Sequence, residues 1–381
     1  MGSLASGKCW TQPTERAAMN KANAAVPKNS KSKKLSSGKL VPQPVFPDAA
    51  NENASDFVIL DWDQWATRVQ PPREKLMVPI IPEKGLIEIY APRGVGKTFL
   101  SLGIALAVAT GTDFLRWKVP RPRRVLYVDG EMPFNDLQER AKWMVAGLDA
   151  PPQKDFLRLF AADLQRHGIP DLASEAPDGR SAVENALRLG EPDQTDLLVL
   201  DNLSTLTRTG SESSDEAWTF MQDWLLRLRR QGVAVLFVHH AGKGGKQRGT
   251  SKREDVLDTV IKLSNPDGYQ PSEGARFVIS FEKQRGFLGD DAEPFEARFS
   301  ENKGVASWET RPVGKKAKMD QVRDLAAGGK SYREIQELTG ISKSEVGRLL
   351  KEPPKLSPTE IDSVMDAPYP GTIAPRKVTS H

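Results

Sequence analysis

The chain has 381 residues but a single cysteine, Cys9, and only four histidines. One thiol near the start excludes an internal disulfide framework and any cysteine-based structural zinc site. The histidines, His167, His239, His240 and His381, do not fall at metal-ligand spacing. No apolar run approaches the roughly 20 residues needed to cross a bilayer, and the first residues are polar and Lys-rich, unlike a secretory signal. The expectation is a soluble cytoplasmic protein with no membrane partner. A net charge of +4 is too small to establish a nucleic-acid partner; the location of the charge matters more. No internal repeat is visible.

What the chain does contain is an apolar run, Leu86-Ile87-Glu88-Ile89-Tyr90, that breaks into a Gly-containing turn ending in Gly-Lys-Thr. The turn opens a second apolar run, Phe99 to Ala109, with the pattern of a buried helix. Strand, Gly-rich turn and helix in this order read as a P-loop. Backbone N–H groups and the helix N-terminus wrap a triphosphate, a lysine reaches the β- and γ-phosphates, and a Ser or Thr hydroxyl binds Mg²⁺. Ala91, Pro92, Arg93, Gly94, Val95, Gly96, Lys97, Thr98 and Phe99 form the expected ATP cradle, with Thr98 as a Mg²⁺ ligand. Ala91 replaces the usual first glycine, a looser form of the pattern.

Residues 1–56 carry Lys28, Lys31, Lys33, Lys34 and Lys39 with no sustained apolar period, and read as a disordered basic arm. Residues 57–84 mix tryptophans, apolar clusters and prolines, and read as a segment that packs on the core or straps a neighbouring subunit. From 85 to 309, strand-like and helix-like runs alternate, which predicts βαβ units and a mainly parallel sheet covered by helices on both faces. Val260–Leu263, Arg276–Glu282 and Phe295–Phe299 predict an antiparallel extension of that sheet. A basic linker is expected over 310–318, a small helical unit over 319–351 and a disordered tail over 352–381.

A P-loop enzyme needs a second carboxylate at the tip of a buried strand to hold Mg²⁺. Leu197-Leu198-Val199-Leu200-Asp201 supplies it, with Asp201 as the ligand. Hydrolysis also needs a group that orients water. In the AAA+ branch of P-loop proteins a glutamate follows the strand-end aspartate; here Asn202 does, which speaks against a plain AAA+ assignment. A glutamate stands instead in Val125-Leu126-Tyr127-Val128-Asp129-Gly130-Glu131, at the end of the strand after the P-loop helix. The strand Val233–Val238 ends in His239-His240, whose side chains point to opposite faces by the two-residue period. The segment Lys243-Gly244-Gly245-Lys246-Gln247-Arg248-Gly249-Thr250-Ser251 follows, basic and free of acids, suited to tracking a phosphate backbone through Lys243, Lys246 and Arg248; the alternative is a solvated loop.

Taken together, residues 85–289 resemble the RepA-like subgroup of hexameric replicative helicases, close to the DnaB and RecA families. The resemblance implies a RecA-like fold and makes Glu131 the residue that polarises the attacking water, with Asp129 as a supporting acid. It makes His240 a γ-phosphate sensor coupled to the basic loop. Lys-x-Arg at a strand end, Lys283 and Arg285, would project into a neighbour's nucleotide as an arginine finger, with Arg248 as a rival. The implied partners are single-stranded DNA and further copies of the chain, in a hexamer.

Two capping boxes, Ser331 with Glu334 and Ser342 with Glu345, start short helices on either side of Gly340. With a preceding helix from Met319 they resemble a helix-turn-helix. In that geometry Ser342, Lys343, Ser344, Arg348 and Lys351 would meet duplex DNA; a helical lid or oligomerisation hairpin is the alternative. The whole chain then reads as a Mg-ATP-dependent DNA motor. Its rivals are an ATP-switched DNA-binding regulator and a recombinase-like filament former.

Overall fold

A computed structural model describes residues 58–169, 171–174, 178–207, 215–242 and 255–351. The expected basic arm, the basic stretch from Lys243 to Ser251 and the expected tail lie outside the described residues. The chain divides into two compact units, the first ending at Val69 and the second starting at Gln70. Within the first, helix α1 (Trp62–Thr67) is closed by a capping box: Gln64 N–H donates to Asp61 Oδ1 at 2.8 Å and Asp61 N–H to Gln64 Oε1 at 3.2 Å. Trp62 and Trp65 meet edge to face, 5.4 Å between centroids.

The second unit opens with a two-stranded ribbon, β1 (Lys75–Met77) and β2 (Ile81–Pro82). Leu76, Met77, Ile80 and Ile81 in it are buried. The strand β3 (Leu86–Ala91) follows, then helix α2 (Lys97–Thr110), β4 (Val125–Asp129), α3 (Phe134–Ala146), β5 (Leu157–Ala161) and α4 (Asp178–Leu187). Next come β6 (Leu197–Asp201), the short α5 (Leu203–Leu206), α6 (Asp215–Arg230) and β7 (Ala234–His240). The sheet continues with β8 (Thr259–Ser264), β9 (Arg276–Gln284), β10 (Phe295–Asn302) and β11 (Val305–Pro312), and three helices close the described chain: α7 (Gly314–Ala327), α8 (Tyr332–Thr339) and α9 (Lys343–Lys351).

The nine-stranded sheet has the order β11-β10-β9-β8-β3-β7-β6-β4-β5. From β5 to β8 neighbouring strands are parallel; from β8 to β11 they are antiparallel. The fold is therefore α/β, a mostly parallel central sheet flanked by helices with an antiparallel extension, consistent with a RecA-like P-loop core. Every residue of β3, β4, β6 and β7 is buried, as expected for parallel strands covered on both faces. Alternation divides their side chains between two cores. Ile87, Ile89, Tyr127, Val199, Leu236 and Val238 pack with α2; Leu86, Leu126, Val128, Leu198, Leu200, Val235 and Phe237 pack with Trp218, Met221, Trp224 and Leu228 of α6. Among the described residues no helix is long and apolar enough to cross a membrane.

The expected linker at 310–318 is corrected: β11 runs through it to Pro312 and α7 starts at Gly314. β11 eludes a hydrophobicity reading because Ala306 is its sole buried residue, Trp308 being half-buried. It is held by pairing with β10 along its whole length, from Phe295↔Pro312 to Asn302↔Val305. The helices α7, α8 and α9 share a small core of Val322, Ile335, Ile341, Val346 and Leu349. Ser331 Oγ and Glu334 form the capping box of α8, and Gly340, at φ 70°, ends it. Ser342 Oγ accepts from Glu345 N–H at 3.3 Å to start α9.

Candidate active site

The carboxyl ends of β3, β4, β6 and β7 converge, the place where open α/β sheets bind ligands. Register alone brings key residues side by side: Asp129 lies opposite Asp201 across β4 and β6, and Ala91 lies opposite His240 across β3 and β7. The loop between β3 and α2 is built on Gly94 at φ 78° and Gly96 at φ 119°, a region that favours glycine. A Cβ on Gly96 would also lie 2.8 Å from the ring of Phe277 on β9. Val95, 4% exposed, anchors the loop in the core.

A cleft of about 290 Å³ opens there, lined by Arg93, Gly94, Gly96, Lys97, Thr98 and Phe99 from the loop and α2, together with Glu131, Met132, Arg140, Asp201, Asn202 and His240. Lys97 is buried, and its Nζ donates to the carbonyls of Ala91 at 3.2 Å and Pro92 at 2.9 Å. Burial lowers its pKa, opposed by the charges of Asp201 and Glu131. Asp201 is buried and accepts from Tyr127 OH at 2.6 Å, Ser101 Oγ at 3.1 Å and the Thr98 hydroxyl. Burial still raises its carboxyl above the usual range, against those three donors. The Tyr127 phenol is in turn pushed well up by burial and by Asp201.

Asp129 is 1% exposed; its Oδ2 accepts Met132 N–H at 3.0 Å, and Oδ1 has no partner among the described residues. Its carboxyl is pushed up to about 7, by burial first and by Asp201 second. Glu131, half exposed, reaches over the cleft. Its Oε2 accepts from Asn202 Nδ2 and lies 3.8 Å from His240 Nε2; Asn202 Nδ2 is 3.4 Å from the same His240 nitrogen.

The cleft thus gathers Lys97, Thr98, Glu131, Asp201 and His240 from four segments of the sequence, and His239 turns away to the opposite face of β7. Arg285 and Lys283 are elsewhere. Arg285 N–H donates to the carbonyl of Asp258, whose own N–H donates to Leu86 at the start of β3, and Arg285 Nη2 donates to the carbonyl of Asp255 at 2.8 Å. Both residues therefore lie at the end of the sheet remote from the P-loop and cannot serve the cleft of their own chain. Lys243, Lys246 and Arg248 lie outside the described residues. Ser342, Lys343, Ser344 and Arg348 are exposed at the start and along one side of α9, and Arg348 is 3.7 Å from Glu345.

Sequence reasoning missed Ser101, Tyr127, Met132 and Arg140, and noticed Asn202 only as the absence of a glutamate. Ser101 could have been found, since it lies one helical turn beyond Lys97 and Thr98. Tyr127 is the one hydroxyl in an apolar strand. Arg140 had no local signal: α3 brings its guanidinium 4.5 Å over the Phe99 ring, a tertiary contact.

The donor set fits a magnesium nucleotide. Thr98 and Asp201 place two hard oxygen donors side by side, the donor type that Mg²⁺ takes. A Cβ placed on Gly94 would meet nothing within 4 Å, which leaves the backbone of the loop open to phosphate.

No curated protein matches the chain. A family model described as an AAA domain matches residues 52–246, just over half of the sequence. That span holds the P-loop, Glu131, Asp201 and His240, in the broad AAA sense, since the strand-end pair is Asp201-Asn202 and the glutamate of the cleft comes from β4. The chain belongs to the AAA domain family, as a P-loop ATPase that hydrolyses nucleotide.

Proposed function

We propose that the protein is a DNA-stimulated motor, a RepA-like hexameric helicase of a plasmid, phage or other mobile replicon, that hydrolyses Mg-ATP between its subunits. One observation carries this reading: Glu131, two residues past the end of β4, meets Asn202 and His240 in the P-loop cleft, and His240 is followed, after Ala241 and Gly242, by the basic segment Lys243–Arg248.

In this reading the amides of Gly94–Thr98 and the ammonium of Lys97 hold the phosphates. Mg²⁺ on Thr98 and Asp201 would neutralise charge on the phosphate oxygens. Glu131 orients the attacking water and accepts its proton. His240 registers loss of the γ-phosphate and passes it along the chain to Lys243, Lys246 and Arg248, which grip single-stranded DNA. Arg285, with Lys283, comes from the adjacent copy and stabilises charge on the transferring phosphoryl, an effect worth about 10³–10⁵ in rate where fingers are known.

The test is ATP turnover with and without single-stranded DNA, beside Lys97→Ala as the blank, followed by unwinding of a forked duplex. Stimulation by DNA and unwinding that requires hydrolysable ATP are expected. Glu131→Gln should bind ATP and not turn it over. Mixing inactive Arg285→Ala with inactive Lys97→Ala should restore part of the turnover if the finger acts between copies.

The compact α7–α9 unit favours a second reading, an ATP-switched regulator that binds duplex DNA through Ser342, Lys343, Ser344 and Arg348. Site-specific duplex binding without unwinding would select it.

A further inference from the structure

Asn202 is 1% exposed, yet every polar atom of its side chain is engaged in the cleft. Its Oδ1 accepts Thr205 N–H at 3.2 Å and caps α5, a structural task that any capping residue performs. Its Nδ2 donates to Glu131 Oε2 and stands 3.4 Å from His240 Nε2, a task that needs an amide. A carboxylate has two oxygens, and among the described residues only Oε2 of Glu131 accepts a hydrogen bond.

We propose that Asn202 is the positioning residue of the hydrolytic site: by donating to Oε2 it fixes the rotation of the Glu131 carboxylate, so that Oε1 is the atom presented to the attacking water. Asn202 also sits between Glu131 and His240, so the carboxylate and the strand-end histidine share one anchor. The residue following Asp201 therefore contributes to chemistry although it contributes no charge. A positioned general base is worth about 10²–10⁴ in rate, and a loosely held one forfeits part of that. The inference rests on the assignment of Glu131 given above.

The capping and donating tasks can be separated. Asn202→Asp is nearly isosteric and keeps the acceptor for Thr205 N–H, but it cannot donate to Glu131 and faces it with a second negative charge. Asn202→Ser also caps, and is too short to reach Glu131. The experiment measures kcat and KM for ATP, and affinity for a fluorescent nucleotide analogue, in the wild-type chain, both Asn202 variants, Glu131→Gln and the double variant Asn202→Asp/Glu131→Gln. Asn202→Asp and Asn202→Ser are expected to lower kcat at least tenfold with KM and nucleotide affinity within about twofold, and Asn202→Asp to add nothing to Glu131→Gln. If either capped variant keeps kcat within twofold while Glu131→Gln is inactive, the positioning role of Asn202 is refuted and the assignment of Glu131 stands. If Glu131→Gln itself turns over normally, that assignment fails and the inference falls with it. If Asn202→Asp loses nucleotide binding, Asn202→Ser decides by the same criterion; loss of binding in both would reduce Asn202 to a structural cap and overturn the proposal.

Discussion

Replacing Asp129 by Asn should make the protein more stable at alkaline pH and flatten the dependence of its stability on pH. The Asp129 carboxyl titrates at about 7 in the folded chain, against 3.8 for an ordinary aspartate, because it is buried and faces Asp201 across the β4–β6 register. The folded protein therefore holds a proton that the unfolded chain has released between those two values. Stability from this group is fully present below pH 3.8 and is lost as pH rises through 7, at a slope approaching 1.4 kcal/mol per pH unit. A shift of about three units corresponds to about 4 kcal/mol in total, of which about 3 kcal/mol falls between pH 5 and pH 8.5. Asparagine keeps an oxygen for the Met132 N–H, replaces the proton of the neutral acid with an amide donor, and has nothing to ionise. Urea unfolding of wild type and Asp129→Asn at pH 5 and pH 8.5 measures the difference. Wild type should lose a few kcal/mol more than the variant over that interval; parallel losses would show that Asp129 ionises in the folded chain as it does in solution, and the account of its burial would be wrong.

Three further outcomes follow from the same structure. Gly96→Ala adds a Cβ at 2.8 Å from the Phe277 ring at a backbone angle that disfavours side chains, so it should cost about 1–3 kcal/mol and weaken nucleotide binding at least tenfold, read by thermal melting and nucleotide titration. Asp258 is buried; burial alone would raise its carboxyl, but Arg73, the Leu86 N–H and Arg229 hold it below the usual range. Asp258→Ala should cost about 3–5 kcal/mol, and the stabilisation it removes should vanish from the wild type as pH falls below about 4; a melt unchanged at pH 7 would contradict the pairing. Ser331→Ala should cost about 1 kcal/mol within α7–α9 by removing the cap of α8, with hydrogen exchange accelerated there and unchanged in the sheet.

The parallel core was legible because its strands are short, wholly apolar and separated by helix patterns: Leu197–Leu200 and Leu86–Tyr90 each announced a buried strand within a residue of its observed end. The two-residue period also told that His239 and His240 would part company. What the sequence could not express was contact between segments. Tyr127 and Ser101 are separated by 26 positions and meet over Asp201 only because α2 packs on the face to which Tyr127 points. β11 was missed for the opposite reason: it lies at the sheet edge with little to bury, and its order comes from hydrogen bonds to β10 that leave no hydrophobic trace. Asn202 was legible as a residue type and illegible as a role, since its partners Glu131 and His240 lie 71 and 38 positions away.

The contact between Gly96 and Phe277 bears on where this protein could be cut. The matched AAA domain span stops at residue 246, before β8 and β9 begin. Yet β8 is one of the two strands that flank β3, Asp258 receives the first N–H of that strand, and the floor beneath the phosphate loop is an aromatic ring from β9. A fragment trimmed to the span of recognisable sequence would lay open one side of its own P-loop strand and remove the surface on which the loop rests. The heritable signature and the foldable unit end at different places, and it is the later boundary, beyond Pro312, that the physics of the sheet respects.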